Sequence, residues 1–156
     1  MPGSDPVIGH PAVTDPSTGL ANRLHFELVY GYLFHAADRG IALTAMLISI
    51  GTDDLEESPE LLARVGDAFR RTTRVADVAA YLGDGRFAVL LLGTNLQGAR
   101  IAVDRIERTV GPVAPPPFAI GLASHRPEMK EASELMDAAE RALRAAESRG
   151  GGLELT

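Results

Sequence analysis

Hydrophobic positions along this chain fall into helical and strand-like blocks separated by turn-forming residues. Leu24, Leu28, Tyr32 and His35 recur at helical spacing after Asn22, a good helix cap, and Gly40 offers a stop. Residues 41–50 are a near-continuous apolar run of strand length, as expected of a strand buried on both faces. Pro59 suits the first turn of a second helix reaching to about Thr73, with Leu62, Val65 and Phe69 as its inward stripe. Residues 75–82 and 86–92 read as two strands around Gly83-Asp84-Gly85, where Asp84-Gly85 is a strong hairpin signal. Thr94 is placed to cap a third helix to about Val110, with Leu96, Ala99, Val103 and Ile106 facing inward. Pro112 to Pro117 break the chain before a strand over 118–123. Ser133 is placed to cap an alanine-rich last helix, which ends near the glycines at 150–152, and 153–156 suits a short edge strand.

This order, with an antiparallel hairpin amid crossover helices, predicts an α+β sandwich of ferredoxin or polymerase-palm type. A central, mostly antiparallel sheet of about five strands would carry helices on both faces. Residues 1–14 hold three prolines and two glycines without periodicity and read as a flexible arm or linker, leaving 15–156 as one domain.

Composition narrows the chemistry. The net charge of -6 argues against broad nucleic-acid or anionic-membrane binding, yet allows a small anionic ligand held by a few arginines. The absence of cysteine removes disulfides, thiolate zinc sites and cysteine nucleophiles, and suits a reducing cytoplasm. No apolar run approaches the roughly 18 residues of a membrane span, so no membrane insertion is expected.

Several spaced motifs carry a resemblance. Asp15-Pro16-Ser17-Thr18-Gly19-Leu20-Ala21-Asn22-Arg23 resembles the D-x-L-T-G-L-x-N-R opening of GGDEF (diguanylate cyclase) domains, with Ser17 for the usual Leu. Residues 77–91, DVAAYLGDGRFAVLL, are similar to that family's D-x-x-A-R-h-G-G-D-E-F-A-V-L-L. Ile120-Gly121-Leu122-Ala123 matches its I-G-x-A strand, and 139–146 its last helix. The likeness covers about residues 15–155 and implies the family's palm-like fold.

It also implies a chemistry: condensation of two GTP molecules, one on each of two subunits, into cyclic di-GMP. Two carboxylates hold the magnesium ions that neutralise the triphosphate and activate the attacking hydroxyl. At those positions this chain reads Ser49 and Arg86. A hydroxyl is a poor substitute for a carboxylate, and an arginine repels magnesium. Only nine residues separate Ser49 from Pro59, which stands where the family has a guanine-reading Asp. The family's phosphate-pairing Lys falls on Glu147 and its following Arg on Gly151. Within the signature Gly83, Asp84 and Gly85, the glycine pair that admits substrate is broken. The expectation is a domain without cyclase activity and without a cofactor.

Arg74-Val75-Ala76-Asp77 is an R-x-x-D six residues before Gly83, and in the family this tetrapeptide binds a stacked pair of cyclic di-GMP molecules. A guanidinium can donate to guanine O6 and N7 or stack on a base, while a carboxylate accepts from guanine N1 and N2. Arg105 aligns with the family's secondary arginine, which reaches ligand on a neighbouring subunit. The resemblance thus implies a cyclic di-GMP receptor, with Arg74, Asp77 and Arg105 as ligand residues, a possible ligand-bridged homodimer and an attached or partner signalling domain. The alternative is a ligand-free scaffold that dimerises or docks a partner, with Arg74 and Asp77 forming only a solvated ion pair.

Other signals are weaker. Arg64-Val65-Gly66-Asp67 repeats the tetrapeptide and reads as a surface pair on a helix. His10, His25, His35 and His125 lack the spacing of a metal centre. Asp53, Asp54, Glu56 and Glu57 read as a solvated acidic loop.

Overall fold

The computed structural model describes residues 12–51 and 55–156. Its elements run α1 Arg23–Ala37, β1 Leu43–Ile50, α2 Pro59–Thr72, β2 Val78–Gly83, β3 Arg86–Leu92, α3 Leu96–Thr109, β4 Phe118–Ser124, α4 Ala132–Ser148 and β5 Gly152–Leu155. The five strands form one sheet in the order β2-β3-β1-β4-β5. Every pairing is antiparallel except β4 with β5. The α+β sandwich expected from the sequence is therefore present. The acidic residues Asp53 and Asp54, His10 and most of the expected arm lie outside the described residues. At the arm's end, Thr14 bridges Ala21 and Asn22 N–H donates to Val13 O at 3.0 Å.

The central strand β1 is buried on both faces, because α1 and α4 cover one side of the sheet and α2 and α3 the other. On the second side Phe87 packs between Phe69 and Tyr81, with ring centroids 4.7 Å apart in each case. Each such buried ring contributes about 1.5–3 kcal/mol of burial free energy. On the other side α4 lies directly on β4. A Cβ on Gly121 would stand 2.3 Å from Leu143 N, so only glycine admits the helix. The alanines 138, 139, 142 and 146 serve this close packing, with Ala145 partly exposed.

The structure decides which face of α1 is buried, which the spacing left open, and corrects two caps and one strand boundary. Leu24, Leu28 and Tyr32 lie on the outer face of α1, 55%, 65% and 75% exposed, and His35 is also exposed. The buried face is Phe26, Tyr30, Leu33, Phe34 and Ala37, a second stripe of equal helical spacing that carries the larger aromatic surface. Asn95, not Thr94, caps α3, its side chain accepting from Gly98 N. Glu131, not Ser133, caps α4, in a capping box with Glu134. There the Glu134 carboxylate accepts from the backbone N–H groups of Lys130 and Glu131, which hold its pKa below the usual carboxylate range. Strand β2 starts at Val78 rather than residue 75, because residues 74–77 form a turn closed by Asp77 N–H to Arg74 O at 3.0 Å.

Candidate functional site

Two places in this fold gather the residues singled out by sequence. The first is the tip of the β2–β3 hairpin with the end of β1. Gly83, Asp84 and Gly85 all have positive φ, so the chain reverses here as its glycines predict. Gly85 O accepts from Ile50 N at 2.8 Å, and a Cβ on Gly85 would lie 2.5 Å from Ile50 O. Glycine thus lets the tip close on β1, which brings Ser49 into register with Arg86 on one side and Ala119 on the other.

Ser49, Asp84, Arg86 and Glu147 line one hollow of about 400 Å³ with Gly51 and Pro117. Pro59, at the first turn of α2, does not line it, and Gly151 sits at φ 128° just before β5. Within the hollow Arg86 is already partnered. Its Nη1 lies 3.4 Å from both oxygens of Glu140, and its Nη2 lies 3.9 Å from Glu147 Oε2. Sequence reasoning missed Glu140. Glu140 and Glu147 are seven residues apart, two turns along one helix face, and that spacing was legible. Chemically the cluster is a cation between two carboxylates, with one serine hydroxyl nearby.

The hairpin tip is also tied to the residues before α2. Tyr81 donates its hydroxyl to Glu56 Oε1 and accepts from Gly85 N at 3.2 Å. The same Glu56 oxygen accepts from Asp84 N at 2.8 Å. Burial first, and then the Glu56 hydrogen bond, push the Tyr81 phenol pKa well above its ordinary value.

The second place lies where α2 hands over to β2. Arg74 donates Nε to Asp77 Oδ2 at 2.9 Å and Nη2 to Asp77 Oδ1 at 3.0 Å, a forked pair. The Asp77 side chain is 1% exposed, whereas that of Arg74 is 51% exposed. The hydrogen bond and charge of Asp77 raise the Arg74 pKa, so the group stays a cation. Arg74 and Arg105 line a common hollow of about 330 Å³ with Thr94, Asn95, Gly98 and Ile101. Asp77 lines the neighbouring hollow, with His25, Arg70 and Val75. Among the described residues Arg105 has no acidic partner, so the hollow holds one paired and one unpaired cation.

The second R-x-x-D behaves differently. Asp67 pairs with Arg70 at 3.0 Å and Arg71 at 2.5 Å, not with Arg64. On a continuous helix the arginines one turn later reach it, which corrects the expected Arg64–Asp67 pair. Among the described residues there is no group of three or more His, Asp or Glu suited to a metal ion. No helix among them is long and apolar enough to cross a membrane.

A parallel-edged, largely antiparallel sheet with this helix order and this hairpin defines a palm-like α+β domain. The family model for the diguanylate cyclase GGDEF domain matches residues 12–152, and the chain belongs to that family. The GGDEF domain of DgcB from Caulobacter crescentus, solved in complex with c-di-GMP, superposes with a TM-score of 0.82 at 18% identity. That match covers 95% of this chain and 98% of the other. The GGDEF domain of FimX from Pseudomonas aeruginosa gives 0.79 at 24% identity, covering 92% and 99%. The diguanylate cyclase SiaD with its activator SiaC, also from Pseudomonas aeruginosa, gives 0.81 at 21%, covering 93% of this chain and 62% of SiaD. At these identities the neighbours speak for the fold. Among curated protein sequences none matches significantly.

Proposed function

We propose that this chain is a catalytically inactive GGDEF module that binds cyclic di-GMP through Arg74 and Arg105, with Asp77 holding Arg74 in place. The observation that carries the reading is the contrast between the two hollows. Where the family chemistry calls for carboxylates around magnesium, Arg86 lies between Glu140 and Glu147, and Ser49 offers a neutral hydroxyl. Two divalent cations are poorly served beside a guanidinium that already engages Glu140 and Glu147, with no carboxylate at the Ser49 and Arg86 positions. Where the family binds its product, two arginines face one hollow and are suited to guanine edges, base faces and phosphates.

The geometry refines the roles expected from sequence. Both oxygens of Asp77 accept from Arg74, so Asp77 acts by orienting the guanidinium rather than by reading guanine N1 and N2 itself. Arg74 presents its exposed face for stacking and Nη1 for donation, and Arg105 meets the phosphate. A hollow of about 330 Å³ is at the small end of ligand sites, so a stacked pair of dinucleotides projects from it and can be shared with a second copy. The module works in the cytoplasm, within or beside a larger signalling protein.

Isothermal titration of the full chain with cyclic di-GMP tests the reading. Saturable heat with two ligands per site, together with larger particles in light scattering, is the expected result. Absence of heat at high micromolar ligand favours a ligand-free scaffold.

A further inference from the structure

Thr94 is free of the helix-capping task, which Asn95 performs by accepting from Gly98 N at 3.0 Å. Its hydroxyl instead stands 3.0 Å from Arg74 Nη2. Guanidinium nitrogens only donate, so Thr94 Oγ1 is the acceptor, and its own proton points to Leu92 O at 3.5 Å. The Thr94 carbonyl is fixed in turn. It accepts from Thr44 Oγ1 at 2.7 Å, and Thr44 is fully buried at the start of β1. Thr44 has a single hydroxyl proton, which this bond uses, so Ser124 on β4 must be the donor in the 2.5 Å contact between Ser124 Oγ and Thr44 Oγ1. Hydrogen bonds therefore converge on Thr94 from two sides: Ser124 and Thr44 donate toward its carbonyl and hold the backbone, and Arg74 donates to its hydroxyl. The turn that carries Thr94 is pinned beside it by Gly93 N–H to Ala42 O at 2.7 Å.

We infer that Thr94 is a positioning residue of the ligand site: it sets the guanidinium of Arg74 against the hollow shared with Arg105. The inference rests on the cyclic di-GMP reading above. The fork from Asp77 uses Nε and one Nη2 proton, and this edge-on contact alone leaves a half-exposed, long side chain with freedom to tilt. The second Nη2 proton goes to Thr94 Oγ1 at 3.0 Å, the shorter of two contacts, with Leu92 O at 3.4 Å as a weaker acceptor, and this fixes the plane. Only the two Nη1 protons and the guanidinium face then remain for a ligand. An arginine already held in its binding orientation avoids the ordering cost on association.

The test compares Thr94→Val, which keeps the shape and removes the acceptor, with Thr94→Ser, which keeps the acceptor. Cyclic di-GMP affinity and the Arg74 Nε–H signal of the ligand-free protein in ¹⁵N NMR are both read. Thr94→Val is expected to weaken binding about 3- to 10-fold, while Thr94→Ser stays within about twofold of wild type. In the Arg74→Ala background Thr94→Val has no further effect. Without ligand, Thr94→Val shifts the Arg74 Nε–H resonance and speeds its exchange with solvent, and Thr94→Ser restores both. An Arg74 signal indifferent to Thr94→Val, or equal affinity loss in the Val and Ser variants, overturns the positioning role. A wild type that binds no cyclic di-GMP while the Arg74 signal still responds overturns the ligand reading instead, and with it the consequence for affinity.

Discussion

Ser49 and Arg86 are register partners across the β1–β3 ladder. Far apart in sequence, they sit side by side at the end of the sheet where the hairpin tip closes on β1. Because neither is a carboxylate, the pair supplies one hydroxyl and one cation to the 400 Å³ hollow, and Glu140 and Glu147 of α4 answer the cation.

Incubation with GTP and magnesium is accordingly expected to yield no cyclic di-GMP, as checked by chromatography of the reaction mixture. Product that scales with protein concentration would refute the loss of activity.

Arg86→Met removes the cation that Glu140 and Glu147 share, leaving Glu140 its second partner Arg144 at 3.4 Å. All three side chains are about one third exposed, so solvent screens the network and its worth is about 0–1 kcal/mol. The melting temperature is expected to fall by no more than about 4 °C, and by less in molar salt. A drop of more than 10 °C would mean that Arg86 carries a structural load this geometry does not account for.

The two R-x-x-D tetrapeptides separate in a binding experiment. Arg74→Ala is expected to weaken cyclic di-GMP binding about 5- to 150-fold, the worth of about 1–3 kcal/mol for a good base contact. Arg64→Ala, on a helix face where Asp67 is served by Arg70 and Arg71, should leave affinity unchanged. Equal losses in the two variants would show that general positive charge, not the site, holds the ligand.

Gly121→Ala places a methyl group 2.3 Å from Leu143 N, 2.7 Å from Leu143 Cα and 2.8 Å from Ala139 O. Backbone atoms cannot swing aside as a side chain can, so α4 must lift off β4. Urea denaturation is expected to show a loss of about 1–3 kcal/mol. Wild-type stability in this variant would mean that α4 rides higher on the sheet than described.

The protein should lose stability on the alkaline side. Burial pushes the phenol pKa values of Tyr30 and Tyr81 above their ordinary value near ~10. Above that pH the unfolded chain gives up these protons while the folded chain keeps them. The contribution is complete below about pH 10 and is lost as pH rises toward the folded values. Tyr30→Phe should flatten the fall of melting temperature between roughly pH 9 and 11. An identical slope in the variant would assign alkaline unfolding to other groups.

Much of this molecule is written in short-range pattern. The apolar run of β1, the hairpin at Asp84-Gly85, Pro59 at the start of α2 and the order of elements follow from spacing and backbone preference within a dozen residues. The resemblance singled out Ser49, Arg86, Glu147, Arg74 and Arg105, and the structure gathers the first three around one hollow and the last two around another.

Tertiary packing decided what those side chains touch. Residues 24, 28 and 32 compete with 26, 30, 33 and 37 for the inner face of α1, and both sets satisfy the helical period. The choice fell to the set whose aromatic rings fill the space over the sheet. A hydroxyl at Thr94 can serve a helix end or an incoming arginine, and the turn of 74–77 brought Arg74 within reach while Asn95 took the helix. Glu140 became the partner of Arg86 because Gly121 lets α4 lie close to β4. Periodicity assigns a residue to an element and a face. Hydrogen bonds and ion pairs between elements depend on distances of a few ångströms set by the packing of the whole core, and no local pattern encodes them.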